Sequence, residues 1–408
     1  KNCLIFQRGS LSGGDEIEED LTRINLREKN CKIVLGILLD KISVFSETIA
    51  TISVLEGMNR ELYTINLYYR KIVENKLAEY CHDHVDDLVQ LPTALSEQVA
   101  LVHSHNLDIL LIGANLIAPE EGSQKLVELC LHRLARKQII LGTSNPVTTG
   151  IKNIDYYLGG TLTGATGEAE EDYREKVIKL EGSGMCFNYA IPLTAPGVHP
   201  TRESWNASPE SIVFMSMAKF AKIIPELRET WVKILASVPQ SILVLCPFRL
   251  HKNYPTIAFL KEMRSRLREK GINEKRLIIV QNLPGRADIL ECLKLADIYL
   301  DSFPYTGAAS LIDPLIIGVP TVVREGESTR AKRGGAILRE LQLPELITES
   351  ENSYIDLSVA LGTHPELRQH HRQKIQQQIA QNPRFLDSYT YSQQIGILLS
   401  KIYNGDIG

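Results

Sequence analysis

The chain has 408 residues, enough for two or three domains with sizeable cores. Its 44% apolar and 23% charged residues are ordinary for a soluble globular protein, and a formal net charge of -4 argues against a basic nucleic-acid binder. No run reaches the ~20 apolar residues of a membrane span, and Lys1 to Gly14 hold no signal-peptide core.

In chain order, residues 32–40 (KIVLGILLD) form a continuous apolar run, the mark of a strand buried on both faces. Helical spacing follows over 43–60, then a strand-like run, ELYTINLYY, ends near Tyr69. A helix over 94–106, the strand DILLIG at 108–113, a helix near 122–136 and the strand QIILG at 138–142 come next. Such alternation predicts a parallel sheet covered on both faces, here an α/β domain over 1–195. Pro192, Pro196, Gly197, Pro200 and Pro209 then crowd one stretch, which predicts an interdomain linker at 196–210. Beyond it the alternation restarts, with strands at 211–216, 241–246, 276–281, 297–301 and 320–323. Helices are expected at 225–235, 255–270, 286–296, 311–317 and 332–341, and a wholly helical tail from Ser353. The expected architecture is therefore two Rossmann-like halves facing across a cleft, the second spanning 211–390 and followed by a C-terminal helix at 391–408. Ligands of such sheets bind beyond the carboxyl ends of the strands, so function must be sought in the loops after strands.

The most informative loop follows DIYLD: Ser302 to Ser310, then Leu311-Ile312-Asp313. Gly307, Ala308 and Ala309 remove side-chain bulk where the backbone enters a helix, whose exposed N–H groups suit a phosphate or diphosphate. Asp313 could accept hydrogen bonds from a ribose. The plainer alternative is a capping box of Ser310 with Asp313. Lys219 and Lys222 follow the strand at 211–216, where positive charge could neutralise a leaving diphosphate; surface lysines are the alternative. Arg324 to Arg330, with Glu327 and Ser328, follows the strand at 320–323 and could hold hydroxyls and phosphates or simply start a helix. Cys81-His82-Asp83-His84 resembles a metal site only superficially, because adjacent residues point to different sides of an element. No metal is expected. The seven cysteines are scattered singly, which predicts free thiols in a reducing cytoplasm. Fingerprints of dinucleotide oxidoreductases, P-loop NTPases and serine hydrolases are absent, as is an Asp-x-Asp pair. The chain begins with Lys1 rather than Met, which fits a trimmed longer parent.

The run LDSFPYTGAASLIDPLIIGVPTVVREGES (300–328) resembles the catalytic region of the O-GlcNAc transferase and SPINDLY family, GT-B glycosyltransferases related to bacterial cytoplasmic N-glucosyltransferases. Residues 212–245 and 276–301 agree in order and spacing, and PVTTG (146–150) with Asp155-Tyr156 is similar to motifs of the family's first half. The resemblance implies an inverting, metal-independent transferase of the GT-B fold. It would move a hexose or N-acetylhexosamine from a nucleoside diphosphate sugar, a UDP-sugar by preference, to a protein side chain. No further cofactor is implied, and self-association is compatible with it. By resemblance Lys222 falls on the catalytic lysine and Asp313 on the carboxylate that holds the ribose. Gly307 to Ser310 fall on the diphosphate turn, and Pro284 with Arg286 lie where uracil is held. Lys219, Glu327 and Ser328 are further donor-side candidates, and Asp40 is a candidate base or acceptor-positioning group. Three positions depart from the pattern: Ala308-Ala309-Ser310 replace His-Thr-Thr, and Ile289 and Val44 stand where the family has histidines. A non-catalytic sugar-nucleotide or partner-binding protein, and a nucleotide-sugar epimerase, are the alternatives on the same scaffold.

Overall fold

Strands that are apolar along their whole length can be buried only if both faces of their sheet are covered, and both sheets here obey that rule. The computed structural model describes residues 32–407 apart from 118–120, 165–169, 248–254, 282 and 284. It divides into two units. The first holds the described residues up to Leu158, from 170 to Ile178, and from Ser388 on; the second holds Gly159–Gly164 and Lys179–Asp387.

The seven strands of the first sheet are β1 (Ile33–Ile42), β2 (Tyr63–Ile72), β3 (Asp87–Gln90), β4 (Leu107–Ile112), β5 (Ala135–Leu141), β6 (Tyr156–Gly160) and β7 (Lys176–Leu180). Their order is β3-β2-β1-β4-β5-β6-β7, parallel in every pairing from β3 to β6. Leu35 of β1 faces Ile65 of β2 on one side and Ile109 of β4 on the other. All three side chains are fully buried. Helices α1 (Ser46–Ile52), α2 (Asn75–His84), α3 (Leu95–Ser104) and α4 (Glu121–Cys130) make the crossovers. The helix expected over 43–60 is thus only seven residues long. Its β-branched and hydroxyl side chains explain the shortening: Thr51 Oγ1 bonds back to Glu47 O at 2.7 Å and Ser53 Oγ to Ile49 O at 3.0 Å, a pattern that weakens helices.

The second sheet contains β8 (Ile212–Ser216), β9 (Ser241–Leu245), β10 (Leu277–Ile279), β11 (Ile298–Leu300), β12 (Thr321–Arg324) and β13 (Ile347–Thr348), all parallel, in the order β10-β9-β8-β11-β12-β13. Its helices are α5 (Pro225–Ser237), α6 (Thr256–Glu269), α7 (Arg286–Leu293), α8 (Ala309–Ile317), α9 (Thr329–Glu340), α10 (Glu351–Thr363) and α11 (Pro365–Ile379). Val213, Phe214 and Met215 on β8 and Trp231 on α5 are wholly buried. Burying each such side chain contributes roughly 1.5–3 kcal/mol.

The units part from the sequence boundaries in two places. The proline-rich stretch 196–210 lies within the second unit: Asp288 Oδ1 accepts the Gly197 and Val198 amides at 2.7 and 3.0 Å, and Arg202 pairs with Asp297 at 2.9 Å. The last helix, α12 (Ser388–Asn404), belongs to the first unit. Tyr63 Oη donates to Gly396 O, and Ser392 Oγ to Val54 O, both at 2.6 Å. Among the described residues no helix is long and apolar enough to cross a membrane.

Candidate functional site

In each sheet the strand order reverses once, and the loops on either side of the reversal diverge and leave room for a ligand. In the second unit the reversal lies between β8 and β11, which pair through Ile298 with Phe214 and Tyr299 with Met215. The loop after β8 carries Lys219 and Lys222, and the loop after β11 carries residues 301–308. Strand pairing therefore brings together two segments about 85 residues apart in the chain: Lys222 Nζ donates to Thr306 O at 2.8 Å.

The turn from β11 into α8 is tightly held. Ser302 Oγ donates to Tyr305 O at 2.8 Å. Thr306 Oγ1 donates to Arg330 O at 2.9 Å and accepts the Gly334 amide at 3.1 Å, which ties the turn to the start of α9. The Gly307 amide points inward to both oxygens of Asp301, at 2.9 and 3.0 Å. A Cβ at Gly307 would lie 2.5 Å from Ser310 Oγ and 3.0 Å from Asp301 Oδ1, so glycine is required by space. The N-cap is Ala308, and no side-chain cap bond is made there. Ser310 lies in the first turn, so the capping box of Ser310 with Asp313 does not form. The amides of Ala308, Ala309 and Ser310 start the helix and by position have no intrahelical acceptor. Such a helix start carries about half a positive charge.

Lys222 is half-buried, and its ammonium lies 4.0 Å from the centre of the Tyr305 ring. Burial, then Arg333 and Lys219, lower its pKa to about 8, while Asp301 opposes them. Asp301 is only 2% exposed, and desolvation raises its pKa to about 6 against the pull of Lys222. Lys219 itself is exposed.

Asp313 is buried on α8, and its Oδ1 accepts from Arg286 Nε at 2.7 Å. The Arg286 guanidinium also stacks 3.5 Å over the ring of Tyr189, whose hydroxyl pKa is raised by burial. Arg286 opens α7, where Asp288 Oδ2 accepts the Gly285 amide at 2.9 Å. Pro284 lies outside the described residues. Glu327 and Ser328 are exposed at the start of α9, with Ser328 as N-cap and its carbonyl accepting the Ala331 amide at 2.8 Å. Their loop's other acid, Glu325, is engaged by Arg339 through two bonds of 2.6 Å.

In the first unit Asp40 follows the apolar part of β1. Its carboxylate accepts from Arg70 Nη1 at 3.0 Å and lies against Gly122 at the start of α4, where a Cβ would come within 2.5 Å. It lines a small pocket with Glu47, Ala114, Asn115 and Ser123, at the β1/β4 reversal of that sheet. Of the Cys81–His84 group, Cys81 is buried and His82 is exposed beside Asp83. Among the described residues no three His, Cys, Asp or Glu side chains are grouped to hold a metal ion.

Asp301 and Tyr189 are not among the sequence candidates, and Tyr305, Thr306 and Arg333 lie in or beside the candidate loops without a role of their own. Asp301 reads there as the polar end of a strand, although an acid after a buried strand and next to a glycine turn is itself a signal. Tyr189 has no local signal linking it to Arg286.

Residues 193–395 match glycosyl transferase family 41. The chain is 30% identical over 239 residues to a probable UDP-N-acetylglucosamine–peptide N-acetylglucosaminyltransferase SPINDLY of Oryza sativa subsp. japonica, covering 58% of this chain and 25% of that one. It spans about a quarter of the length of the first curated relatives it matches. A solved O-GlcNAc transferase mutant of Thermobaculum terrenum superposes with a TM-score of 0.79 at 21% identity, over 93% of this chain and 69% of that one. Anabaena HepE in complex with UDP superposes at 0.56 and 15% identity, over 90% of this chain and all of that one. These likenesses carry the GT-B fold, with its two Rossmann-like parallel sheets. Over residues 193–395 the chain is similar to glycosyl transferase family 41, in agreement with the resemblance to O-GlcNAc transferase and SPINDLY.

Proposed function

We propose that this chain transfers a sugar, a hexose or N-acetylhexosamine, from a UDP-sugar to a peptide side chain, with inversion, and that the donor is held in the second unit. The observation that carries the reading is the meeting of Lys222 with the α8 start at the strand-order reversal. Bond cleavage at the anomeric carbon leaves negative charge on the diphosphate. Fixed positive charge aimed at that group lowers the barrier without reorganisation. The amides of Ala308, Ala309 and Ser310 would take the diphosphate oxygens, and Lys222 would neutralise the developing charge. Asp313, fixed by Arg286, would accept from the ribose hydroxyls, and Arg286 on Tyr189 would border the base.

The SPINDLY relative is named for a UDP-N-acetylglucosamine donor and a peptide acceptor, and HepE is solved with UDP, which supports a UDP-sugar donor and a peptide acceptor. Losing histidine and threonine side chains at 308–310 leaves the main-chain amides, which do not depend on side-chain identity. Lys219, Glu327 and Ser328 are exposed and are assigned smaller contributions. Asp40 is assigned to positioning on the acceptor side.

The test is a panel of UDP- and GDP-sugars with peptide acceptors, read by chromatography of nucleotide and sugar products. UDP release with glycopeptide formation, slowed roughly 10²–10³-fold in Lys222→Ala, is the expected result. Failure of UDP and GDP alike to bind at millimolar concentration would overturn the reading. A converted free UDP-sugar without acceptor would assign the chain to epimerase chemistry instead.

A further inference from the structure

The peptide group joining Thr306 to Gly307 is engaged at both ends. Its carbonyl oxygen accepts Lys222 Nζ at 2.8 Å, and its N–H donates to the Asp301 carboxylate at 2.9 and 3.0 Å. Carboxylate at the N–H and ammonium at the oxygen polarise the amide in the same sense, and linked hydrogen bonds strengthen one another by about 10–30% each. We propose that Asp301 is the positioning residue for Lys222: acting through the Thr306–Gly307 peptide, it holds the ammonium at the diphosphate turn and sets the pH range over which it stays charged. The inference rests on the donor-site reading above and adds a residue to it.

Asp301 is itself immobilised. Tyr354 Oη donates to its carbonyl at 2.8 Å, and a Cβ on Gly334 would lie 3.0 Å from its Oδ2. The backbone therefore fixes the carboxylate, the carboxylate fixes the turn, and the turn fixes the lysine. The arrangement also explains why Gly307 is not a ligand-binding amide: its hydrogen is taken from within. The diphosphate seat consequently begins at Ala308.

The charges around Lys222 are few. Burial, Arg333 and Lys219 all disfavour its ammonium form, and Asp301 is the opposing group among those that shift it. Asp301 in turn faces Lys222 and the amides of Gly307 and Ser302. The nearby hydroxyls of Tyr299 and Tyr354 are held neutral by burial. With the Asp301 charge removed, burial, Arg333 and Lys219 push the lysine toward its neutral form, opposed only by the Thr306 carbonyl and the Tyr305 ring among the contacts described above.

The experiment compares the pH profiles of UDP-sugar turnover for the native chain and Asp301→Asn, which keeps shape and an acceptor for the Gly307 amide. The basic limb, near pH 8 in the native chain, should move down by about one pH unit or more. A rate reduced equally at all pH values would mean that Asp301 only supports the fold, and would overturn the proposal. Should the variant fail to fold, nitrogen NMR of lysine side chains in the native chain gives the same answer, with Lys222→Met identifying the signal. The Lys222 resonance should show a second inflection where Asp301 titrates, near pH 6. A single inflection would overturn the proposal. This readout needs no donor, so a chain that binds no UDP would refute the donor-site reading while leaving the Asp301–Lys222 linkage measurable.

Discussion

Replacing Lys222 with alanine removes one ammonium group from the mouth of α8 and leaves the amides in place. A unit charge about 4 Å from a developing phosphate charge, at an effective dielectric of about 20, is worth about 4 kcal/mol. Removal of a single preorganised donor from comparable sites costs about 2.7–4 kcal/mol, or roughly 10²–10³ in kcat. That range applies only while the lysine is charged. Its pKa is lowered to about 8, so the charged form predominates below that value and is lost as pH rises through it. At pH 7 about nine-tenths of the native lysine is charged, and at pH 9 about one-tenth. Native turnover should therefore exceed that of Lys222→Ala by roughly 10²–10³ at pH 7, and by about tenfold less at pH 9. Continuous measurement of UDP release over pH 6–9.5, with circular dichroism confirming the fold, supplies both numbers. A ratio below about 10 at pH 7, or a ratio that does not narrow at high pH, refutes the electrostatic role assigned to this residue.

Asp313→Ala removes the acceptor assigned to the ribose and leaves Arg286 without its 2.7 Å partner. Hydrogen bonds to charged groups are worth about 1.5–3 kcal/mol, so donor affinity by calorimetry should fall roughly 10- to 150-fold. Arg286→Lys should weaken UDP binding by a similar factor although charge is kept, because an ammonium cannot reproduce a guanidinium stacked 3.5 Å over Tyr189. Asp40→Asn should leave kcat within about tenfold, since its carboxylate is committed to Arg70; loss of a general base would cost about 10²–10⁴. Trp231→Ala should destabilise the second unit by about 3–5 kcal/mol in urea unfolding, because the indole is fully buried.

The elements that were legible in the sequence are those with a one-sided physical cause. The runs at 211–216 and 241–246 are apolar between their terminal serines and Cys246, and no environment but the middle of a covered sheet accommodates them. Strand β3 was not legible, because only Val89 of its four residues is buried and an edge strand needs no apolar run. Helix α2 escaped notice for a related reason: it buries only Leu77, Ala78 and Cys81. The tail from Ser353 reads as continuous helix, yet it is three helices, broken before Pro365, which opens α11, and between Ile379 and Ser388. At the site, Lys222 and the 307–310 turn could be read from their places after strands. Asp301 could not, because its importance depends on which atoms of the following turn fold back upon it. Arg286, Tyr189 and Asp313 converge from three separate stretches, and only the folded chain brings them together.

The hydrogen bonds from Tyr63 to Gly396 and from Ser392 to Val54 have a consequence for synthesis. The ribosome must make the 207 residues from Glu181 to Asp387 between the last strand of the first sheet and the helix that closes its unit. At about 5–20 residues per second, that interval lasts on the order of 10–40 s. Throughout it the partners of α12, among them Val54, Met58 and Tyr63, lack their cover, whereas the later-born second unit can close upon itself. The unit that is translated first is thus the last to be completed, and a stop after Asp387 would harm the first unit more than the second.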